Sequence, residues 1–294
     1  MSQIPSHFQL DFDPIANPAA VVIAGSARFT VFTSRLIRLE YDENGRFQNA
    51  PSQPFWYRNQ PVPPFEQGVK DGRLTIETEH LQLTYQIGKK FTAKSLQITL
   101  LESNTIWQFG AENPQNLLGT YRTLDEVSGS TPLEPGLLSR SGWALVDDSK
   151  TLIFNTDGWL EPRPNPDALD LYFFGYGLDY AACLRDYFAL TGPVPLLPRW
   201  ALGNWWSRYW PYTADSLAEL MRDFQAHDVP LSVCIIDMDW HITNTPYHSG
   251  WTGYTWNREL FPDPPAFLAW LHEQGLRTAL NLHPAQGIAP HEEA

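Results

Sequence analysis

The sequence predicts a β-sandwich followed by an α/β domain, and two patterns carry that prediction. Residues 20 to about 175 contain many short strand patterns and few helical ones, which is typical of a sandwich. From residue 201 onward strands and helices alternate, which is typical of a parallel sheet covered by helices. The expected domains are residues 1–195, including a linker helix, and residues 196–294.

Alternation of apolar and polar residues gives the strand signal in the first domain. Residues 81–87 alternate without a break, and residues 37–41 do the same. Because successive side chains of a strand point to opposite faces, each of these strands buries one face. Further short strands are expected at residues 29–33, 74–78, 96–100, 152–155 and 171–174.

Helical character appears first at residues 179–190, and this helix ends before Thr191-Gly192-Pro193. The second domain then has the order strand, helix, strand, long loop, helix, strand. The expected segments are 201–206, 214–227, 231–239, 264–274 and 276–283, with the loop between the third and fourth. The strand at 231–236 is apolar on both faces, so either a doubly wound sheet or a (β/α) barrel fits.

Composition excludes several partner classes. The chain has 20 Lys+Arg and 33 Asp+Glu, a net charge of −13, which disfavours binding to nucleic acids and to anionic membrane surfaces.

No glycine-rich phosphate loop, dinucleotide fingerprint or His spacing typical of a metal site occurs, so neither a cofactor nor a metal is expected. The N-terminus shows no signal peptide and no spanning segment, which predicts a cytoplasmic protein.

The two cysteines, Cys183 and Cys234, fall in a predicted helix and in an apolar strand. Two such residues provide no disulfide framework. We expect both to be small apolar side chains of the core.

Polar residues follow the strands of the second domain, and Asp237 and Asp239 end the strand predicted at 231–239. Two residues apart on one strand, they would project to the same face. Glycosidases place two carboxyls on either side of the scissile bond, whereas this pair approaches from one side. We therefore expect the pair to bind hydroxyls, with Asp237 the stronger candidate and hydrogen bonding to loop amides as the alternative for Asp239.

Aromatic residues are concentrated in the same region. Eight of the twelve tryptophans lie between residues 200 and 270. Aromatic rings pack on the C–H faces of sugars while carboxylates bind their hydroxyls, so the cluster indicates carbohydrate recognition, with packing of the domain as the alternative. The 24-residue loop from Trp240 to Asp263 contains six aromatic residues: Trp240, Tyr247, Trp251, Tyr254, Trp256 and Phe261.

Separated motifs resemble glycoside hydrolase family 31, the α-glucosidase and α-xylosidase family. They are residues 200–209 (WALGNWWSRY), 236–240 (IDMDW) and 280–285 (LNLHPA), with weaker matches at 28–40, 116–122, 141–145 and 172–177. The resemblance implies a galactose-mutarotase-like β-sandwich followed by the first part of a (β/α)8 TIM barrel. It also implies retaining hydrolysis of α-linked glycosides by an aspartate nucleophile and an aspartate acid/base.

By position, the resemblance gives Asp237 the role of holding sugar hydroxyls and Tyr209 that of a pocket wall. Trp206, Trp240 and His283 are implied neighbours, and His283 stands where many members have aspartate. With Asp239, these are the predicted substrate-binding residues. No catalytic residue is assigned, because the family's catalytic aspartates follow later barrel strands.

The chain carries about three of eight expected barrel strands, so we expect it to be a truncated N-terminal part that is inactive alone. An open sheet edge would be the consequence. The alternative is a non-catalytic carbohydrate-binding protein. The expected partner is an α-linked oligosaccharide or glycoside, and the oligomeric state, including a homo-oligomer, is left open.

Overall fold

The computed structural model describes most of the chain, as residues 9–119, 121, 123, 126–246, 248–251, 253–283 and 287–292. The chain divides into two compact units, Met1–Val194 and Pro195–Ala294. In the described part, no helix is both long and apolar enough to cross a membrane.

In its described residues, the first unit has twelve strands and one long helix. In chain order they are β1 (Val21–Ala24), β2 (Ala27–Thr33), β3 (Leu36–Tyr41), β4 (Phe65–Lys70), β5 (Arg73–Thr78), β6 (Leu81–Gln86), β7 (Leu96–Leu100), β8 (Thr105–Gln108), β9 (Ala144–Asp147), β10 (Ile153–Phe154), β11 (Leu160–Glu161), β12 (Leu169–Phe174) and α1 (Tyr180–Thr191).

Ten of these strands form two antiparallel five-stranded sheets. The first has the order β1-β2-β3-β12-β9 and the second the order β4-β5-β6-β7-β8. Buried side chains of both sheets meet in one hydrophobic cluster, which includes Phe29 and Leu39 from the first sheet and Ile76 and Leu83 from the second. A β-rich domain with a core between two sheets is therefore present.

Strand β6 follows the alternation expected from the sequence. Leu81, Leu83 and Tyr85 are fully buried, whereas Gln82 and Thr84 between them are partly exposed. The predicted one-sided burial of this strand is confirmed.

The other face of the first sheet packs against α1. Tyr172 and Phe174 of β12 join Cys183 and Leu190 of the helix in a second cluster. Asp179 caps the helix N-terminus by accepting a hydrogen bond from the backbone of Ala182 at 3.1 Å. The helix predicted at 179–190 is thus confirmed.

Both cysteines are buried and unpaired. Burial raises the pKa of the Cys183 thiol and of the Cys234 thiol to about 12. Both thiols stay protonated at neutral pH, which confirms the expectation of core residues.

A buried ionic network joins β3 and β12. Arg38 donates two hydrogen bonds to Asp170, each 2.7 Å long, and lies 3.1 Å from Glu40. Arg163 bridges Asp170 at 2.8 Å and Asp148 at 2.7 Å. Charges this deeply buried persist only when they are paired, so the network fixes the two strands against each other.

Where the structure describes it, the second unit has five strands and two α-helices. In chain order they are β13 (Trp205–Trp206), α2 (Ala214–Ala226), β14 (Val233–Ile236), β15 (Asn244–Thr245), β16 (His248–Ser249), α3 (Pro264–Glu273) and β17 (Arg277–Leu280). Both predicted helices are confirmed. Thr213 with Ser216 forms a capping box on α2, and Asp263 caps α3.

Strands β13, β14 and β17 form a parallel sheet in that order. Cys234 and Ile236 of β14 share a core cluster with Leu217 and Met221 of α2 and Leu271 of α3. One face of the sheet is therefore covered by the two helices, as in a β/α unit.

All three parallel strands are shorter than the sequence predicts. The segment 201–206 begins as a 3-10 helix, Arg199–Leu202, and only Trp205–Trp206 is strand. The strand expected at 231–239 ends at Ile236, and the one expected at 276–283 ends at Leu280. Because the chain turns at these points, the polar residues that follow stand on loops and not in the sheet.

Candidate functional site

The parallel sheet has a second face, which points away from α2 and α3. Trp206 pairs with Cys234 on the helix side, so the alternation of side chains places Trp205, Val233 and Ile235 on the other side. Ser207 and Asp237 are the first residues beyond the ends of β13 and β14.

Ser207 and Asp237 meet directly. The Ser207 hydroxyl donates a hydrogen bond of 3.0 Å to Oδ2 of Asp237. Ser207 is exposed and Asp237 is half-buried. Because a carboxylate oxygen has two acceptor sites, this contact leaves acceptor capacity on Asp237 for hydroxyls of a ligand.

A tight turn fixes the backbone at Asp237. Its Oδ1 accepts the backbone N–H of Met238 at 2.8 Å, and its carbonyl accepts the N–H of Trp240 at 3.2 Å. This turn ends β14, so the expectation that Asp237 and Asp239 lie two apart on one strand was wrong. Their spacing in the sequence therefore does not place the two carboxylates on one face.

Asp239 is half-buried within the same turn. Its side chain forms no hydrogen bond with any other residue in the described part of the chain, and that includes the amides of the loop that follows. The alternative of a carboxylate anchored by loop amides therefore finds no support in these contacts.

Three rings form what we call the aromatic row: Tyr209, Trp251 and His283. The ring centroids of Tyr209 and Trp251 are 5.8 Å apart, and those of Trp251 and His283 are 4.9 Å apart. Tyr209 is 64% exposed. Tyr209 follows β13 and His283 follows β17, the two strands that flank the central strand β14 in the sheet.

Trp206 and Trp240 have different surroundings from the aromatic row. Trp206 packs edge-on against Phe224 of α2 at 5.1 Å, on the helix side of the sheet. Trp240 is only 3% exposed, and its indole N–H donates to the carbonyl of Asn281 at 2.8 Å. Both rings contribute to the core, which is the packing alternative considered for the aromatic cluster.

The long loop after Trp240 is ordered around its own small hairpin, β15 with β16, which the sequence did not indicate. His241 is fully buried and forms a bridge with Trp256, and Trp256 packs on Trp240 at 4.9 Å. Tyr247, which the sequence placed among the loop aromatics, lies outside the described residues.

The sequence reasoning missed Ser207. A signal was present, since Ser207 lies two residues beyond Trp205 and two before Tyr209, at the period of a strand. Serine is so common in loops that only the contact with Asp237 distinguishes it.

The chemistry of this arrangement is that of ligand binding. One carboxylate with a hydroxyl neighbour and a row of rings can bind a polar molecule that has an apolar face. Among the described residues, no group of three or more His, Cys, Asp or Glu side chains could hold a metal ion.

The second unit is a parallel β/α unit with polar groups beyond the carboxyl ends of its strands. In α/β proteins of this class, ligands bind at the carboxyl ends of the strands. Comparison with known proteins finds a similar family. The family described as "Glycosyl hydrolases family 31 TIM-barrel domain" matches residues 194–293. The second unit therefore resembles part of a family 31 TIM barrel, and it follows a β-rich unit.

Two proteins of similar sequence are named as glycosidases. An α-xylosidase of Saccharolobus solfataricus is 25% identical over 221 residues, which are 69% of this chain and 28% of that protein. Alpha-glucosidase 2 of Bacillus thermoamyloliquefaciens is 34% identical over 110 residues, 37% of this chain and 13% of that protein. The chain thus spans less than a third of the length of these relatives.

Solved structures share the fold. A family 31 α-xylosidase from a soil metagenome, complexed with xylose, has a TM-score of 0.60 and 14% identity, covering 89% of this chain and 45% of that one. A family 31 dextranase of Flavobacterium johnsoniae, complexed with isomaltotriose, has the same TM-score and identity, covering 93% of this chain and 39% of that one.

Proposed function

We propose that the chain is the N-terminal part of a retaining glycosidase that hydrolyses α-linked O-glycosides. The supporting observation is the hydrogen bond between Ser207 and Asp237 in a unit that also contains the aromatic row and that matches the family 31 TIM barrel. The names of the relatives, α-xylosidase and α-glucosidase, suggest the substrate class.

In this proposal the first unit is a galactose-mutarotase-like β-sandwich, and the second supplies the first strands of a (β/α)8 barrel. Asp237 accepts hydrogen bonds from sugar hydroxyls, and Ser207 orients its carboxylate. The aromatic row forms a wall against which the apolar face of the sugar packs. Trp206 and Trp240 support the sheet from within the core.

The proposal assigns no nucleophile and no acid/base to these 294 residues. A retaining mechanism needs two carboxyls about 5 to 5.5 Å apart across the glycosidic bond. Only Asp237 is proposed to face the sugar, so the chain by itself would bind a glycoside without cleaving it. The catalytic pair would come from sequence that the longer relatives contain.

The first experiment measures turnover. A longer polypeptide, in which this chain is continued by the C-terminal sequence that the relatives contain, should hydrolyse p-nitrophenyl α-xyloside or p-nitrophenyl α-glucoside. In that polypeptide Asp237→Asn should lower kcat/KM by about a hundredfold, since a hydrogen bond to a charged group contributes about 1.5–3 kcal/mol. Asp263→Asn changes only the cap of α3, so it serves as the control for a lost carboxylate.

The second experiment separates the glycosidase from a non-catalytic carbohydrate-binding protein, which the binding chemistry of the site also permits. If sugar binding depends on Asp237 and no aryl α-glycoside is hydrolysed, the protein is a carbohydrate-binding protein and not a glycosidase. Hydrolysis that Asp237→Asn leaves unchanged would refute the proposed role of this residue.

A further inference from the structure

The first unit contains a cleft at one end of its two sheets. The cavity has a volume of about 530 Å³, within the size range of small-molecule sites. Its walls come from the end of β3, the loop after β6, the end of β8 and the segment before β12. Loops from both sheets therefore converge on it.

One wall of the cleft is aromatic. The rings of Tyr41 and Phe91 lie 5.5 Å apart, and those of Phe91 and Phe109 lie 5.8 Å apart. Phe91 is buried, whereas Tyr41 and Phe109 are half-exposed. The half-exposed rings give the cavity an apolar surface that a small ligand can cover.

The polar rim is held in place by Asp42, which is itself almost fully buried. Its carboxylate accepts a hydrogen bond of 2.6 Å from the side chain of Asn165 and one of 2.7 Å from the backbone of Asn44. Burial opposes ionisation of Asp42, but these hydrogen bonds outweigh it and lower the pKa of the carboxyl. The side chain of Asn165 and the backbone of Asn44 are thus positioned before any ligand arrives.

The charged side chains that line the cleft are balanced in number. Glu43 and Asp167 face Arg46 and Lys90, and Lys90 forms an ion pair with Glu43. Two acidic and two basic groups give no preference for an anion or a cation. They do offer several donors and acceptors, which suits a neutral ligand rich in hydroxyl groups.

We propose that this cleft, between the aromatic wall of Tyr41 and Phe109 and the rim of Arg46 and Asp167, is a second carbohydrate-binding site. Its ligand is a neutral oligosaccharide of two or three sugar units. The site takes no part in bond cleavage, so it goes beyond the proposed hydrolysis and does not depend on Asp237. It retains a glycan chain on the first unit.

The test is calorimetric titration of the 294-residue chain with maltotriose and with isomaltotriose. The double variant Arg46→Ala, Asp167→Ala should bind the preferred trisaccharide at least about tenfold more weakly, a loss of about 1.4 kcal/mol. Both side chains are exposed, so the melting temperature should not change. Tyr41→Leu, which keeps apolar volume and removes the ring, should weaken binding as well.

Two controls separate this site from the one beyond β14. Glu79→Ala removes an exposed acid at the opposite end of the sheets and should bind as the unaltered chain does. Asp237→Asn should retain the cleft's binding, even if the proposed hydrolysis fails. The proposal is overturned if neither trisaccharide binds, if the double variant binds normally, or if Asp237→Asn abolishes all binding.

Discussion

Ser207 holds the carboxylate of Asp237 from one side, while the backbone of Met238 holds it from the other. Two donors on different oxygens restrict rotation of the carboxylate. A carboxylate fixed in this way loses little conformational entropy when it binds a hydroxyl. Ser207 is therefore a positioning residue for Asp237.

Replacing Ser207 tests that role. Ser207→Ala should weaken binding of an α-glycoside at Asp237 by about fivefold, because the hydroxyl that positions the carboxylate is lost. Its effect on the free energy of unfolding should stay within about 0.5 kcal/mol, since Ser207 is exposed. Calorimetry and thermal melting measure the two effects. Ser207→Thr keeps the hydroxyl and should restore the affinity, and a failure to do so would contradict the role.

Close packing against Ser232 restricts the size of the side chain at position 203. A Cβ built on Gly203 would lie 1.9 Å from Oγ and 2.6 Å from Cβ of Ser232, so the backbone before β13 lies against Ser232, just before β14. Gly203→Ala should destabilise the second unit by about 1–3 kcal/mol through overpacking. Urea unfolding measures this change.

Two variants complete the test of Gly203. Gly68→Ala, where an added Cβ meets nothing within 4 Å, is the matched control and should be nearly neutral. Gly203→Ala combined with Ser232→Gly should recover most of the lost stability. If the double variant is no more stable than Gly203→Ala alone, the steric explanation is wrong.

At the scale of elements, β3 and β12 are joined by charge as well as by the sheet. Asp170 is buried, which alone would favour its neutral form, yet the guanidinium of Arg38 and its hydrogen bonds hold the pKa of Asp170 well below its usual range. The pair therefore contributes stability above the ordinary aspartate pKa near 4, and this contribution is lost as the pH falls toward the folded-state pKa.

Asp170→Asn should lower the free energy of unfolding of the first unit at pH 7 by about 3 kcal/mol or more, because Arg38 is left buried without its full counter-charge. The difference from the unaltered chain should narrow as the pH falls below about 4. Urea unfolding between pH 7 and pH 3 measures both effects. Glu66→Gln on the exposed strand β4 is the control, and a pH-independent difference for Asp170→Asn would contradict the explanation.

The helices were predicted to within a residue or two, because their signals are local. Asp179, Thr213 and Asp263 each accept a backbone hydrogen bond at the N-terminus that the sequence places there. The lengths of the parallel strands were overestimated, since no glycine or proline follows the apolar run 231–236 to mark Asp237 as the start of a turn. That turn depends on hydrogen bonds to the Asp237 carboxylate and carbonyl, which sequence periodicity does not reveal.

At the scale of the whole molecule, the two units have separate hydrophobic cores, and the chain between them is exposed. Leu196 is 98% exposed and Leu197 is 64% exposed. Because exposed segments are the preferred sites of proteolysis, thermolysin should cleave first beside these leucines. Mass spectrometry should then detect a fragment that ends near residue 195.

The double variant Leu196→Asp, Leu197→Asp removes the preferred thermolysin sites and should slow this first cleavage. It should leave the melting temperature of the chain unchanged, because neither leucine is buried. Initial cleavage inside either sheet of the first unit would contradict the division into two compact units.

The sequence by itself determined the succession of a β-rich unit and a β/α unit, the three long helices, the resemblance to family 31 and the position of Asp237. These features rest on local periodicity, capping residues and contiguous motifs. Only the tertiary structure decided which rings face outward. Trp206 and Trp240 pack in the core, whereas Tyr209, Trp251 and His283 meet in a row, because strand register and the ends of the strands set the direction of each side chain. Residues 207 and 237 lie thirty positions apart, and only the parallel pairing of β13 with β14 brings their side chains into contact.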